Sequence, residues 1–304
     1  MQFSQGWGDD AWLDAALAGG PGFSAAPAAK LSWERPRVHR GLELSDGYFE
    51  SPRSDLLSAA VVRVHVRRVR VPGVRRDRAF VVLAGSREEG FRLRHFMWAQ
   101  SVRTHADAYF IENPYYGSRR APGQRSANIP TVSQHLAMNV ASVSEASALL
   151  AYLGGHYAQV AVAGYSMGGF MATLAAQVTR LPLALIALAA GTTPRPIYTT
   201  TLFARAIDFG ALAKGQRSKE SARERLGQLF HLGSVQRQPL PLRPTACVIV
   251  ACKRDGFVPP VEAVRLHQHF VGSELRWLNT GHVVAPLAHA RSMRRALLDG
   301  LDRL

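Results

Sequence analysis

Apolar residues are distributed along this chain in two alternating rhythms. Unbroken runs at 79–84, 160–163, 183–189 and 246–251 have the length of strands, several are rich in β-branched residues, and Asp107–Ile111 reads as another strand. A run that is apolar throughout predicts a strand buried on both faces, as in a parallel sheet. A further strand is read at 275–278. Between the runs lie segments of helical spacing: 91–104, the stretch after Pro130, 169–180, and the chain from about Ala285 onward. The stretch after Pro130 sets Val132, Leu136, Val140, Val143, Leu150 and Leu153 at helical intervals. Strands alternating with helices predict an α/β protein, a mostly parallel sheet covered on both faces.

Two regions depart from this rhythm. Val62, Val64 and Val66 alternate with Arg63, His65 and Arg67, a half-buried strand whose phase then flips to Val69 and Val71. The flip predicts a bulge or turn near Arg67 and Arg68. Residues 1–58 read as an irregular N-terminal extension packing on the core, with one short helix near 10–18, and 59–304 as the main domain. Within that domain, 191–244 forms a long insertion with helical stretches near 199–213 and 218–232, a cap over the strand ends.

Candidate chemistry sits where the strands end. Gly164-Tyr165-Ser166-Met167-Gly168 follows one strand and precedes a helix. Glycines on either side of a serine at such a sharp turn push its hydroxyl outward, the arrangement of a nucleophile elbow. Asp255 follows the strand at 246–251, and His282 follows the strand at 275–278. A serine hydroxyl needs a base, histidine can take and return that proton near neutrality, and a carboxylate fixes the imidazole. The order Ser, Asp, His is that of the α/β-hydrolase fold, with its cap-like helical insertion. Glu262 is the runner-up acid. Backbone N–H groups for a developing oxyanion are expected from Met167 and from the loop at Gly85 and Ser86. Tyr115, Tyr116, Arg119, Arg120 and Tyr165, all beside strand carboxyl ends, are candidates for substrate binding.

Composition adds little to this and excludes some classes. The formal charge is +15, from 37 basic and 22 acidic residues, and seven arginines fall between Arg63 and Arg78. No nucleic-acid motif accompanies them, so nucleic acid is not an expected partner. An arginine-rich solvated surface explains the charge; the functional alternative is an anionic substrate or membrane surface, with Arg119 and Arg120 as its readers. No cofactor or metal site is expected: His267 and His269, two apart on a helix, point nearly opposite ways. Cys247 and Cys252 sit on one strand roughly 17 Å apart and cannot pair. No apolar run reads as a membrane span and no secretory leader is read at the start, so a cytoplasmic enzyme, or one peripheral to a membrane, is the expectation.

The motifs also resemble one family almost end to end. Gly6-Trp7-Gly8, Asp46-Gly47-Tyr48-Phe49-Glu50-Ser51-Pro52, Leu83-Ala84-Gly85 and the long Glu112-Asn113-Pro114-Tyr115-Tyr116-Gly117-Ser118-Arg119 are similar to those of the α/β-hydrolase domain-containing protein 18 family. Ser166-Met167-Gly168-Gly169, Asp255-Gly256-Phe257-Val258-Pro259 and Gly281-His282-Val283 resemble its later motifs. The resemblance implies Ser166, Asp255 and His282 as nucleophile, acid and base of a hydrolase acting on an ester, a lipid acyl ester being the leading case. Ser86-Arg87-Glu88-Glu89 departs from the Thr-Gly-Asp-His expected after Leu-Ala-Gly. Acyl transfer, thioester or amide cleavage, and a non-catalytic binding role on the same scaffold are the alternatives.

Overall fold

A computed structural model describes residues 1–20 and 22–304. In chain order the elements are α1 (Asp10–Gly19), β1 (Ser32–Trp33), β2 (Arg37–His39), β3 (Leu42–Glu50), β4 (Arg63–Arg70) and β5 (Arg78–Leu83). Then come α2 (Arg92–Thr104), β6 (Asp107–Ile111), α3 (Val132–Gly154), β7 (Gln159–Tyr165), α4 (Met167–Val178) and β8 (Ala184–Leu188). The insertion carries α5 (Arg195–Thr199), α6 (Phe209–Leu212) and α7 (Lys219–Leu232). The chain closes with β9 (Cys247–Cys252), α8 (Pro260–His269), β10 (Glu274–Leu278), α9 (Ala285–Ala288) and α10 (Ala290–Leu301).

One sheet orders the strands β1-β3-β4-β6-β5-β7-β8-β9-β10, with β2 paired to β3. From β6 to β10 every pairing is parallel. The uniformly apolar runs follow from this: Val160 and Val162 pack under α3 and α4, while Ala161 and Ala163 face α2 and α10. Cys247 and Cys252 fall on opposite faces of β9 and are free, as their spacing required.

Three expectations change. The phase flip in β4 is not a bulge, because its register with β3 and β6 runs unbroken from Val66 through Val69. Val64 and Val66 pack in one core layer and Val69 in the other, so the flip records which face is covered. The segment read as irregular supplies β1, β2 and β3; the Ser, Asp and Gly residues of β3 hid its strand pattern. The helical stretch at 199–213 is broken. Thr199, Thr200 and Thr201 turn their hydroxyls back onto the carbonyls of Arg195, Pro196 and Ile197, and α5 stops there. The expectation of no membrane span stands: α3 is long and apolar enough to cross a membrane, but 89% of its apolar window is buried in the protein.

The cap and the N-terminus share a core of their own. Phe3, Trp7 and Leu13 pack with Tyr198, Leu226 and Phe230. The Trp7 indole donates to the Leu212 carbonyl at 2.8 Å, and Arg225 pairs with Asp10 and Asp14. This ties α5 to α7 over the strand ends that carry the site.

Candidate active site

Ser166 lies between β7 and α4 with φ 56° and ψ −120°, outside the ordinary regions for a side-chain-bearing residue. Its neighbours make that turn possible. A Cβ on Gly164 would stand 2.2 Å from the backbone of Gly168, and one on Gly168 would stand 2.5 Å from the Leu83 carbonyl. Only glycine allows the three segments to approach this closely. The Ser166 N–H is held by the Leu188 carbonyl at 2.8 Å, which pins the turn to β8.

The structure brings the three sequence-predicted groups together from three strand ends. His282 Nε2 is 2.9 Å from Ser166 Oγ, and His282 Nδ1 is 2.7 Å from Asp255 Oδ2. The other carboxylate oxygen accepts the N–H groups of Phe257 and Val258 at 2.9 and 2.8 Å, so the Asp255 side chain is fixed at both oxygens. The imidazole sits between the rings of Tyr165 and Phe257, 5.1 and 5.2 Å away. Tyr165 donates its hydroxyl to the His282 carbonyl at 2.5 Å; burial, then the Cys252 thiol beside it, holds that phenol above its ordinary value. Glu262 is elsewhere: it is buried against Thr192 and pairs with Arg265.

The loop facing the serine is where sequence and structure part. Among the described residues, the N–H of Met167 and that of Ser86 have no partner, whereas the Gly85 N–H donates to Glu88 Oε2 at 3.0 Å. Gly85 is therefore not available as an anion donor, and of the two residues expected on that loop Ser86 is left. Glu88 in turn holds Arg94, 1% exposed, whose guanidinium also reaches the carbonyls of Val82, Ile111 and Gly90.

The four residues read as substrate binders from the long motif at 112–119 and its neighbour are placed outside the cavity. Arg119, 1% exposed, is paired with Glu145 through both its terminal nitrogens at 2.7 Å and donates to the carbonyls of Val61 and Glu112. Arg120 is paired with Glu89. Tyr115 and Tyr116 are packed in an apolar cluster with Val61, Ile129 and Met138. Burial raises the Tyr116 phenol, which lies beside Arg87 and Ser86. Glu112 accepts from Gly90 and Ser118, and Glu89 accepts from Gly117. The motif braces the 85–90 loop; an arginine already engaged by a carboxylate has no free fork for a substrate anion. Several of the arginines between Arg63 and Arg78 are likewise engaged: Arg67 with Asp46, Arg70 with Glu43, Arg78 with Asp302. Sequence reasoning missed Glu145 because its partner Arg119 is far away in the chain, and Glu88 and Arg94 because their bonds to Gly85, to each other and to the Val82, Gly90 and Ile111 carbonyls form only once the loop and α2 pack on the strand ends.

Two cavities meet at Ser166, sharing Ser86, Phe203 and Phe257. The larger, about 290 Å³, is walled by His282, Tyr165, Leu93, Met97, Val283 and Pro286 among others. The smaller, about 50 Å³, is walled by Met167, Phe170, Met171, Ile197, Tyr198 and Val258 among others. No cluster of three metal-ligating side chains occurs among the described residues.

Comparison with known proteins agrees with the fold. The profile of the family described as alpha/beta hydrolase domain containing 18 matches residues 2–218 and 213–303. An acetyl xylan esterase from a Thermoanaerobacterium species superposes with a TM-score of 0.63 at 12% identity, over 99% of this chain and 95% of that one. An acetyl xylan esterase from a Paenibacillus species gives 0.60 at 13% identity, over 94% and 93%. A thermostable esterase from Pseudomonas putida gives 0.52 at 14% identity, over 97% and 88%. At such identities the likeness is one of architecture, the α/β-hydrolase fold.

Proposed function

We propose that this chain, which belongs to the alpha/beta hydrolase domain containing 18 family, is a serine hydrolase that cleaves a carboxylic ester through an acyl-enzyme. The observation that carries the reading is the unbroken hydrogen-bonded line from Ser166 Oγ through His282 to Asp255. In the first half-reaction Ser166 Oγ attacks the ester carbonyl carbon as His282 Nε2 takes its proton. The carbonyl oxygen turns negative toward the N–H groups of Met167 and Ser86, each such donor being worth about 3–4 kcal/mol in the transition state. His282 then gives the proton to the alcohol oxygen as the acyl carbon–oxygen bond breaks. Water repeats the sequence on the acyl-enzyme and releases the acid. Asp255 keeps Nδ1 protonated and stabilises the imidazolium.

Apolar esters, a lipid-type substrate among them, are the favoured class. Leu93 and Val283 wall the larger cavity and are exposed, and Phe96, Val284 and Leu287 are exposed beside them in the chain. A non-catalytic binding protein has no use for a serine held in a strained turn against a fixed imidazole.

A fluorophosphonate probe tests the reading. It should modify Ser166 alone, with labelling lost in Ser166→Ala and much reduced in His282→Ala. Ester turnover should fall about 10⁵–10⁶-fold in Ser166→Ala and about 10⁴-fold in Asp255→Asn. Glu262→Gln should change turnover far less than Asp255→Asn. A folded wild-type protein that takes no label, or takes it elsewhere, overturns the proposal.

A further inference from the structure

The two cavities at Ser166 are unequal, and only one of them is walled by His282. That asymmetry orients the ester. The proton from Ser166 must reach the departing alcohol oxygen through His282 Nε2, so the alcohol lies on the side that His282 walls. The acyl group is left with the other side. We infer that this enzyme is selective for a short, uncharged acyl group carried on a larger apolar alcohol, an inference that rests on the ester-hydrolase reading above.

The sizes decide which part is short. An engineered cavity of about 150 Å³ takes benzene. By that measure the acyl side, about 50 Å³, holds about two or three non-hydrogen atoms beyond the carbonyl carbon. The alcohol side, about 290 Å³, holds several times as many. The acyl side also ends in packed walls. Phe170 and Met171 come from α4, Ile197 and Tyr198 from the cap, and His135 and Asn139 from α3. Phe170, Met171, Tyr198, His135 and Asn139 are all buried, and Tyr198 is wedged between Phe3 and Phe230 with its hydroxyl 2.9 Å from His135 Nε2. A longer acyl chain has to displace these side chains, which costs of the order of the binding it would gain.

The lining also fixes the charge of the acyl group. No arginine, lysine, aspartate or glutamate is among its residues, and burial pushes His135 down to about 3, so the imidazole there is neutral at physiological pH. A carboxylate on the acyl group would be desolvated without a partner. On the alcohol side three charged residues line the wall: Glu88 and Arg94 are paired with each other and Arg87 has no acid partner among the described residues; the rest opens to exposed Leu93 and Val283, which suit a mainly apolar group that need not be enclosed.

Two isomeric esters separate this inference from its alternatives. Octyl acetate and ethyl octanoate have the same atoms, similar hydrophobicity and alkanol leaving groups, and differ in which side is long. The expected result is a kcat/KM at least about 100-fold higher for octyl acetate, within the range that pocket exclusion delivers. Ile197→Ala, which enlarges only the acyl side, should narrow that ratio by about tenfold. Leu93→Ala, in the wall of the alcohol side, should not narrow it. Equal rates for the two isomers, or a preference for ethyl octanoate, overturn the inference and leave the esterase reading standing. Cleavage of neither isomer, together with no fluorophosphonate label on Ser166, overturns both.

Discussion

The two banks of the cleft at Ser166 are held by different forces. On one side, the elbow, Asp255 and His282 are fixed by backbone geometry: Gly164 and Gly168 in close approach, and two N–H groups on the Asp255 carboxylate. On the other side, the 85–90 loop is fixed by buried charge. Glu88 bridges Gly85 and Arg94, Glu112 accepts from Gly90, and the chain of contacts ends in the Arg119–Glu145 pair. A buried ion pair gives little net stability, since desolvation offsets the attraction, but removing one partner leaves an expensive isolated charge. The loop bank should therefore fail by unfolding or loosening, and the elbow bank by losing turnover while folded.

The largest expected effect tests that contrast directly. Glu145→Gln strands Arg119 in the core and should cost about 3–5 kcal/mol of stability, read by denaturant unfolding. The double variant Arg119→Leu with Glu145→Leu should recover much of the loss; if it is no better than Glu145→Gln, buried charge is not what holds the loop bank. Next comes Gly168→Ala. Its methyl would press on the Leu83 and Ala84 carbonyls at 2.5 and 2.8 Å, shifting the elbow against the loop. A displacement of about 1 Å costs about 100-fold in turnover, and the protein should remain folded by circular dichroism. A variant with wild-type kcat breaks the comparison from the other side.

The smallest effect belongs to surface charge, far from both banks. Arg276 and Arg303 beside Glu274 hold its carboxyl down at about 2, chiefly through the Arg276 hydrogen bond and against the opposing effect of burial. A depressed carboxyl contributes stability above its unfolded value and loses it as pH falls toward about 2. Glu274→Gln should thus cost less than about 1 kcal/mol at neutral pH, and the difference from wild type should vanish in acid. A cost that persists at low pH would mean packing, not charge, is what Glu274 supplies at the edge of β10.

The same division separates what the sequence settled from what needed the folded chain. Continuous apolar runs declared β5 to β9 as strands buried on both faces, because a parallel sheet leaves no polar face to record. Ser166, Asp255 and His282 were legible because each follows its own strand, and a parallel sheet gathers such ends at one edge. Local geometry also marked the elbow, where glycine is the only residue that fits. The loop bank was not legible. Nothing near Arg119 in the chain names Glu145, since an ion pair is decided by distance in space and leaves no periodicity; Glu88 lies close to Gly85 in the chain, but whether it takes the Gly85 N–H depends on how the loop turns. The sequence therefore offered Arg119 and Arg120 as free cations, and only the tertiary structure buried Arg119 against Glu145 and paired the half-exposed Arg120 with Glu89. Cavity size belongs to the same class. The side chains that wall off the acyl side of Ser166 come from α3, α4 and the cap, and how much room they leave is a property of their packing together.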